Sequence, residues 1–146
     1  MSRSGIVIFA AVILFIFIYN SLTMKRNMVD NAFASIDAQL KKRFDLIPNL
    51  VASASKYMEH ESETLSKIAE MRSNASTVAE KSALDTQLTG NLRNFMVQVE
   101  AYPELKASDN IKMLQASLNE IEAQLAASRR AYINHSLISL AFFDAE

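Results

Sequence analysis

Residues 29–51 read VDNAFASIDAQLKKRFDLIPNLV, and the apolar positions Val29, Phe33, Ile36, Leu40 and Phe44 recur at steps of four, three, four and four. With about 3.6 residues per turn, that spacing puts all five side chains on one face of an α-helix. Asp30, Asp37, Lys41 and Lys42 fall between them, as a solvated face requires. The run Lys41-Lys42-Arg43 is read as part of that face, because charge runs on helices are usually exposed. Pro48 interrupts the pattern: it cannot donate to the Phe44 carbonyl, and its ring crowds that turn. Either the helix kinks there, or Asp45 caps a new one with Pro48 in its first turn. The apolar face resumes at Val51, Ala54 and Met58.

Upstream the periodicity gives way to a continuous apolar run. Gly5 to Tyr19 reads GIVIFAAVILFIFIY, and no charged residue lies between Arg3 and Lys25. Ile6, Phe9, Val12, Leu14, Phe17 and Tyr19 are the anchor residues of a predicted transmembrane segment, with Tyr19 placed for an interfacial aromatic belt. The core run spans about 22 Å of a hydrocarbon layer roughly 30 Å thick, so Asn20 to Met24 or the short head must contribute. A cleaved signal peptide is the competitor, but it needs small residues at the cleavage site, and Ser21 and Thr23 supply only a weak one. Lys25, Arg26, Lys41, Lys42 and Arg43 on one side outweigh Arg3 on the other, which favours a cytoplasmic position for the C-terminal domain.

Downstream, Leu65 and Ile68, with Met71 or Arg72, mark a second helical segment, and Ser73-Asn74-Ala75-Ser76-Thr77 reads as a loop. Thr77 and Glu80 form a capping-box pattern that opens a third helix. Its face is Leu84, Leu88, Leu92, Phe95 or Met96, and Val99, and it ends at Tyr102-Pro103. Gly90 inside it marks a close helix contact or a local break. In the last helix Ile111, Leu114, Leu118, Ile121, Leu125, Ser128 and Tyr132 alternate steps of three and four, a coiled-coil-like seam. Ser108 or Asp109 is its predicted N-cap, and Arg129 and Arg130 its C-terminal cations.

The composition agrees with this reading. Among 146 residues, two Gly and two Pro leave little for the turns of an all-β fold, and 50% apolar content argues against disorder. Zero Cys excludes a disulfide scaffold and thiol chemistry, and a net charge of −1 argues against nucleic acid as a partner. The strongest metal-like cluster, Glu59-His60-Glu61-Ser62-Glu63, fails the HExxH spacing because Thr64 stands where the second histidine belongs. No nucleotide-binding or hydrolase motif occurs. The expectation is therefore no catalytic residue, no metal and no cofactor.

The stretch Ala38 to Val51, with its Leu46-Ile47-Pro48-Asn49-Leu50 core, resembles the bacterial LemA family. Tyr19-Asn20, Ile36-Asp37, His60-Glu61, Glu100 to Lys106, Glu122 and Arg129-Arg130-x-Tyr132 extend the likeness to about Tyr19 to Tyr132. The resemblance implies a short head, one membrane anchor and an antiparallel helical bundle, with no enzymatic activity to carry over. It departs after the paired arginines, where Ile133 and Asn134 follow Tyr132 and the sequence closes on Leu140 to Glu146. The expectation is that a final stretch of the usual domain is missing or altered there and that the bundle leaves apolar stripes open for other chains.

The expected protein is all-α, with a head and transmembrane anchor over residues 1–24 and a LemA-like bundle over 25–146. It is a single-pass protein of the bacterial cytoplasmic membrane that acts as a scaffold by helix association. The association face is Val29, Phe33, Ile36, Leu40, Leu88, Leu92, Ile111, Leu114, Leu118, Ile121 and Leu125, and the expected partners are the lipid bilayer and a second copy or another membrane protein. The alternatives are an adaptor that recruits an envelope protease, sensor or transporter, and an exported soluble bundle with a mature N-terminus near residue 24.

Overall fold

The computed structural model describes residues 3–71 and 75–143, with side chains described over 5–71 and 75–137. Arg72, Ser73 and Asn74 of the predicted loop region, and Asp144 to Glu146 of the C-terminal stretch, lie outside the described residues. Five helices and no strand occur among those described: α1 (Arg3–Ala54), α2 (Ser62–Glu70), α3 (Val78–Val99), α4 (Pro103–Ala107) and α5 (Asp109–Phe143). They belong to two compact units, a terminal one made of Met1–Ala34 and Ser128–Glu146 and a bundle made of Ser35–Ala127.

In the bundle, α1 buries Ile36, Leu40, Phe44, Ile47, Leu50 and Ala54. These meet Leu65 and Ile68 of α2, Leu88, Leu92, Phe95 and Val99 of α3, Leu105 of α4, and Ile111, Leu114, Leu118, Ile121 and Leu125 of α5 in one core. Each fully enclosed leucine or isoleucine, such as Leu40 or Ile111, contributes about 1.5–3 kcal/mol through the water it leaves. Across the chain of contacts α5 runs antiparallel to α1, since Asn110 bonds Ser53 at 2.6 Å and the later Glu122 approaches the earlier Arg43.

The helix ends follow local chemistry. Thr77 starts α3 with a complete capping box: Glu80 N–H donates to Thr77 Oγ1 at 3.2 Å, and Glu80 Oε2 accepts from the N–H groups of Thr77 and Ser76. Tyr102, pushed out of helical geometry by the following proline, separates α3 from the single turn of α4 (φ −119, ψ 85). That short helix was not anticipated. The carbonyl of Ser108 accepts from Lys112 N–H at 3.1 Å, which puts Ser108 in the N-cap position of α5.

Four local expectations are corrected. Of the two alternatives at Pro48, the new helix capped by Asp45 does not occur; the exposed ring of Pro48 sits inside one helix that continues to Ala54. A Cβ added to Gly90 would meet nothing within 4 Å, so this glycine serves no close contact, and it does not break α3. Arg129 and Arg130 are interior residues of α5, because no Gly or Pro follows them and the helix proceeds to Phe143. Leu84 is only half-buried, and Asp85 takes the buried position on that face.

Two stability predictions follow from these ends and this glycine. Gly90→Ala should raise the unfolding free energy of the detergent-solubilised chain by about 0.5–1 kcal/mol in urea titrations, because it removes unfolded-state freedom at an exposed helical site. The N–H groups of Thr77 and then Ser76 hold the Glu80 carboxyl below the usual carboxylate range. Its contribution is therefore complete above that range and is lost as pH falls through the lowered folded value. Glu80→Gln should flatten this acid limb of the pH–stability curve and leave the neutral-to-alkaline limb unchanged.

Candidate functional site

Two features stand apart from ordinary packing, one in each unit. In the terminal unit, the N-terminal part of α1 presents apolar side chains all around the helix. Ile6, Phe9, Val12, Leu14, Phe17 and Tyr19 are between 50% and 71% exposed, and Leu22 is 45% exposed. A water-facing helix does not carry such a surface without a single charge, whereas a lipid-facing one requires it. Among the described residues α1 is the one helix long and apolar enough to cross a membrane. Phe15 and Tyr19 stack at 6.4 Å near the end of the apolar run.

In the bundle, a charged pair sits inside the apolar seam. Arg43 Nη1 donates to Asp85 Oδ1 at 2.7 Å, and both side chains are 3% exposed. Nη2 lies 3.6 Å from Glu122 Oε2, a carboxylate that is 57% exposed. Three helices therefore meet at one guanidinium, and its buried Nε has no hydrogen-bond partner. Arg43, Thr89, Arg93, Asn119 and Glu122 line a cavity of about 280 Å³ beside it. Lys81 Nζ on α3 also reaches Asp37 Oδ1 on α1 at 2.6 Å, nearer the bundle surface.

Arg43 was expected on a solvated face, and that expectation is overturned. The reason is spacing: Leu40, Arg43, Ile47, Leu50 and Ala54 step by three and four, so Arg43 occupies a core position of α1. Asp85 does the same on α3, where Asp85, Leu88, Leu92, Phe95 and Val99 form one register. A signal was thus present in both seams, as one residue of each sign at an apolar position.

The predicted association face divides. Ile36, Leu40, Leu88, Leu92, Ile111, Leu114, Leu118, Ile121 and Leu125 are buried within this chain, whose own helices cover the stripes that were expected to stand open. Val29 is half-buried and Phe33 is 46% exposed, its ring tilted by 46° against that of Tyr132 with centroids 6.0 Å apart. In the acidic cluster Glu59 and His60 are exposed, and Glu63 Oε1 accepts from Lys67 Nζ at 2.7 Å, which lowers the Glu63 pKa. No group of three potential metal ligands occurs among the described residues.

A sequence profile described as the LemA family matches residues 32–137. The chain belongs to the LemA family. Its matched region contains all three members of the Arg43, Asp85 and Glu122 cluster, and begins after the apolar part of α1. Protein LemA from Metamycoplasma hominis is 29% identical over 137 residues, covering 88% of this chain and 61% of that relative. This LemA-family chain thus spans less than two thirds of that relative's length.

The charged cluster generates a sharp expectation. Arg43→Met removes the arginine from the buried Arg43 and Asp85 pair and should cost about 3–5 kcal/mol of stability in urea unfolding. Combining it with Asp85→Leu should recover most of that loss, since a well-packed apolar pair replaces a desolvated ionic one. Glu122→Gln, at an exposed carboxylate, should cost no more than about 1 kcal/mol.

Proposed function

We propose that this chain is a single-pass, membrane-anchored scaffold or assembly protein without catalytic chemistry of its own, seated in the bacterial cytoplasmic membrane. The observation that carries the proposal is the uncharged, exposed apolar surface of α1 between Ile6 and Leu22, which needs lipid to cover it. The anchor confines the helices to two dimensions, where even weak helix contacts assemble because the effective concentration of neighbours is high.

Most of the predicted association face is spent on the chain's own core, so Phe33, with Val29 beside it, is the part of that face left for another chain. Its partner is a second copy or another membrane protein that offers a matching apolar helix. The excess of Lys and Arg after the anchor, beginning with Lys25 and Arg26, favours a cytoplasmic position for the helices that follow.

Light scattering of the detergent-solubilised full chain tests the self-assembling form of this proposal. The expected species is larger than a monomer, and Phe33→Asp should shift it to the monomer with helical content preserved. A well-folded wild-type chain that is strictly monomeric, in detergent and by crosslinking in its native membrane, would overturn it.

A further inference from the structure

The cavity beside Arg43 lies within the bundle unit and draws its walls from α1, α3 and α5. Arg43, Leu92 and Leu118 are buried and form its deep side, while Arg93, Asn119 and Glu122 stand exposed around its mouth. Arg43 carries donors that the protein does not use. Its Nη1 is engaged by Asp85 at 2.7 Å, its buried Nε has no partner, and its Nη2 stands 3.6 Å from Glu122 Oε2, beyond hydrogen-bond length. Arg93 makes no salt bridge among the described residues. Thr89 Oγ1 already donates to the Asp85 carbonyl at 2.9 Å and keeps only acceptor capacity.

The charges around the cavity cancel, Arg43 and Arg93 against Asp85 and Glu122. A simple anion gains from the guanidiniums and loses to Glu122, and a simple cation does the reverse. A ligand that carries both signs escapes the conflict, with its anionic group at the unused donors of the two arginines and its cationic group at the exposed Glu122 carboxylate. The spacing restricts that ligand further. Nη2 of Arg43 and Oε2 of Glu122 are 3.6 Å apart, so the two ligand charges sit on neighbouring groups, as the carboxylate and ammonium of an α-amino acid do. A zwitterion with its charges at the ends of a long chain does not fit this pair. Leu92, Leu118 and Met96 give the rest of the ligand an apolar wall, and about 280 Å³ holds one aliphatic side chain of leucine or methionine size.

We propose that this cavity binds a free α-amino acid with an aliphatic side chain. Its carboxylate meets Arg43 Nη2 and Arg93, its ammonium donates to Glu122, and its side chain lies against Leu92, Leu118 and Met96. Asn119, one helical turn before Glu122 on α5, offers an amide that serves either charged group. A ligand in this place touches α1, α3 and α5 together and stabilises the bundle by mass action. Such binding belongs to the bundle alone and is independent of the membrane anchor.

Equilibrium dialysis of the detergent-solubilised full chain against radiolabelled L-leucine tests this, with N-acetyl-L-leucine and L-leucinamide as competitors. The first competitor lacks the ammonium and the second lacks the carboxylate. L-leucine should be retained by the protein, and each analogue should compete at least about tenfold more weakly than unlabelled leucine, because each forfeits a hydrogen bond between charged groups. Glu122→Gln, at an exposed position that leaves helical content unchanged by circular dichroism, should weaken leucine binding by about tenfold or more and spare N-acetyl-L-leucine. No retention of leucine by the folded wild-type chain would overturn the proposal. So would leucine binding that Glu122→Gln leaves unmoved, which places the ligand elsewhere. An N-acetyl-L-leucine that competes as well as leucine would make this a plain carboxylate site, an equally effective leucinamide a plain cation site, and either result rejects the amino acid.

Discussion

Everything in this fold depends on α1 being one unbroken helix from Arg3 to Ala54. In hydrocarbon a backbone has no water to bond, so each N–H and C=O must find its partner within the helix. The same helix later supplies Ile36, Leu40, Phe44, Ile47, Leu50 and Ala54 to a packed core. The two solvents ask for different side-chain patterns, apolar all around in one and apolar on one stripe in the other. The sequence makes that change between Leu22 and Val29, where Lys25, Arg26 and Asn27 interrupt the apolar run.

Inside the bundle the Arg43 and Asp85 pair adds specificity where apolar packing is permissive. Leucine, isoleucine and valine seams tolerate sliding by a turn, because one branched aliphatic side chain fills a gap about as well as another. An arginine and an aspartate, both nearly sealed from water, tolerate no such shift: a displaced register would strand each charge in the core at a cost of several kcal/mol. The approach of Glu122 brings α5 into the same arrangement, so the charged centre ties three helices to one alignment.

The helical class, the apolar N-terminal helix, the capping box at Thr77 and the core face of α5 were legible from sequence, because each is a local property of period, charge or capping chemistry. Arg43 was misread because a run of three basic residues normally signals solvent, and only the counter-charge on another helix makes its burial tolerable. Asp85 is hidden for the same reason, with Leu84 offering an apparently better apolar position beside it. The continuity of α1 through Pro48 depends on tertiary burial on both sides of the proline, at Phe44 and Ile47 and again at Leu50 and Ala54, which outweighs a local penalty. Coverage of the stripes by the chain's own helices, instead of by a second copy, is likewise a question of topology that periodicity cannot answer.

Membership of the LemA family and the exposed apolar surface of α1 are consistent with a helical protein anchored in a bilayer by its N-terminal helix, as proposed. The most direct test is the intact mass of the protein recovered from alkali-washed bacterial membranes. For the expressed chain of residues 1–146 the account predicts a membrane-retained species with its apolar segment uncleaved, at 16.3 kDa allowing for loss of the initiator Met1. A soluble species lighter by the mass of the residues before about Met24 would contradict it.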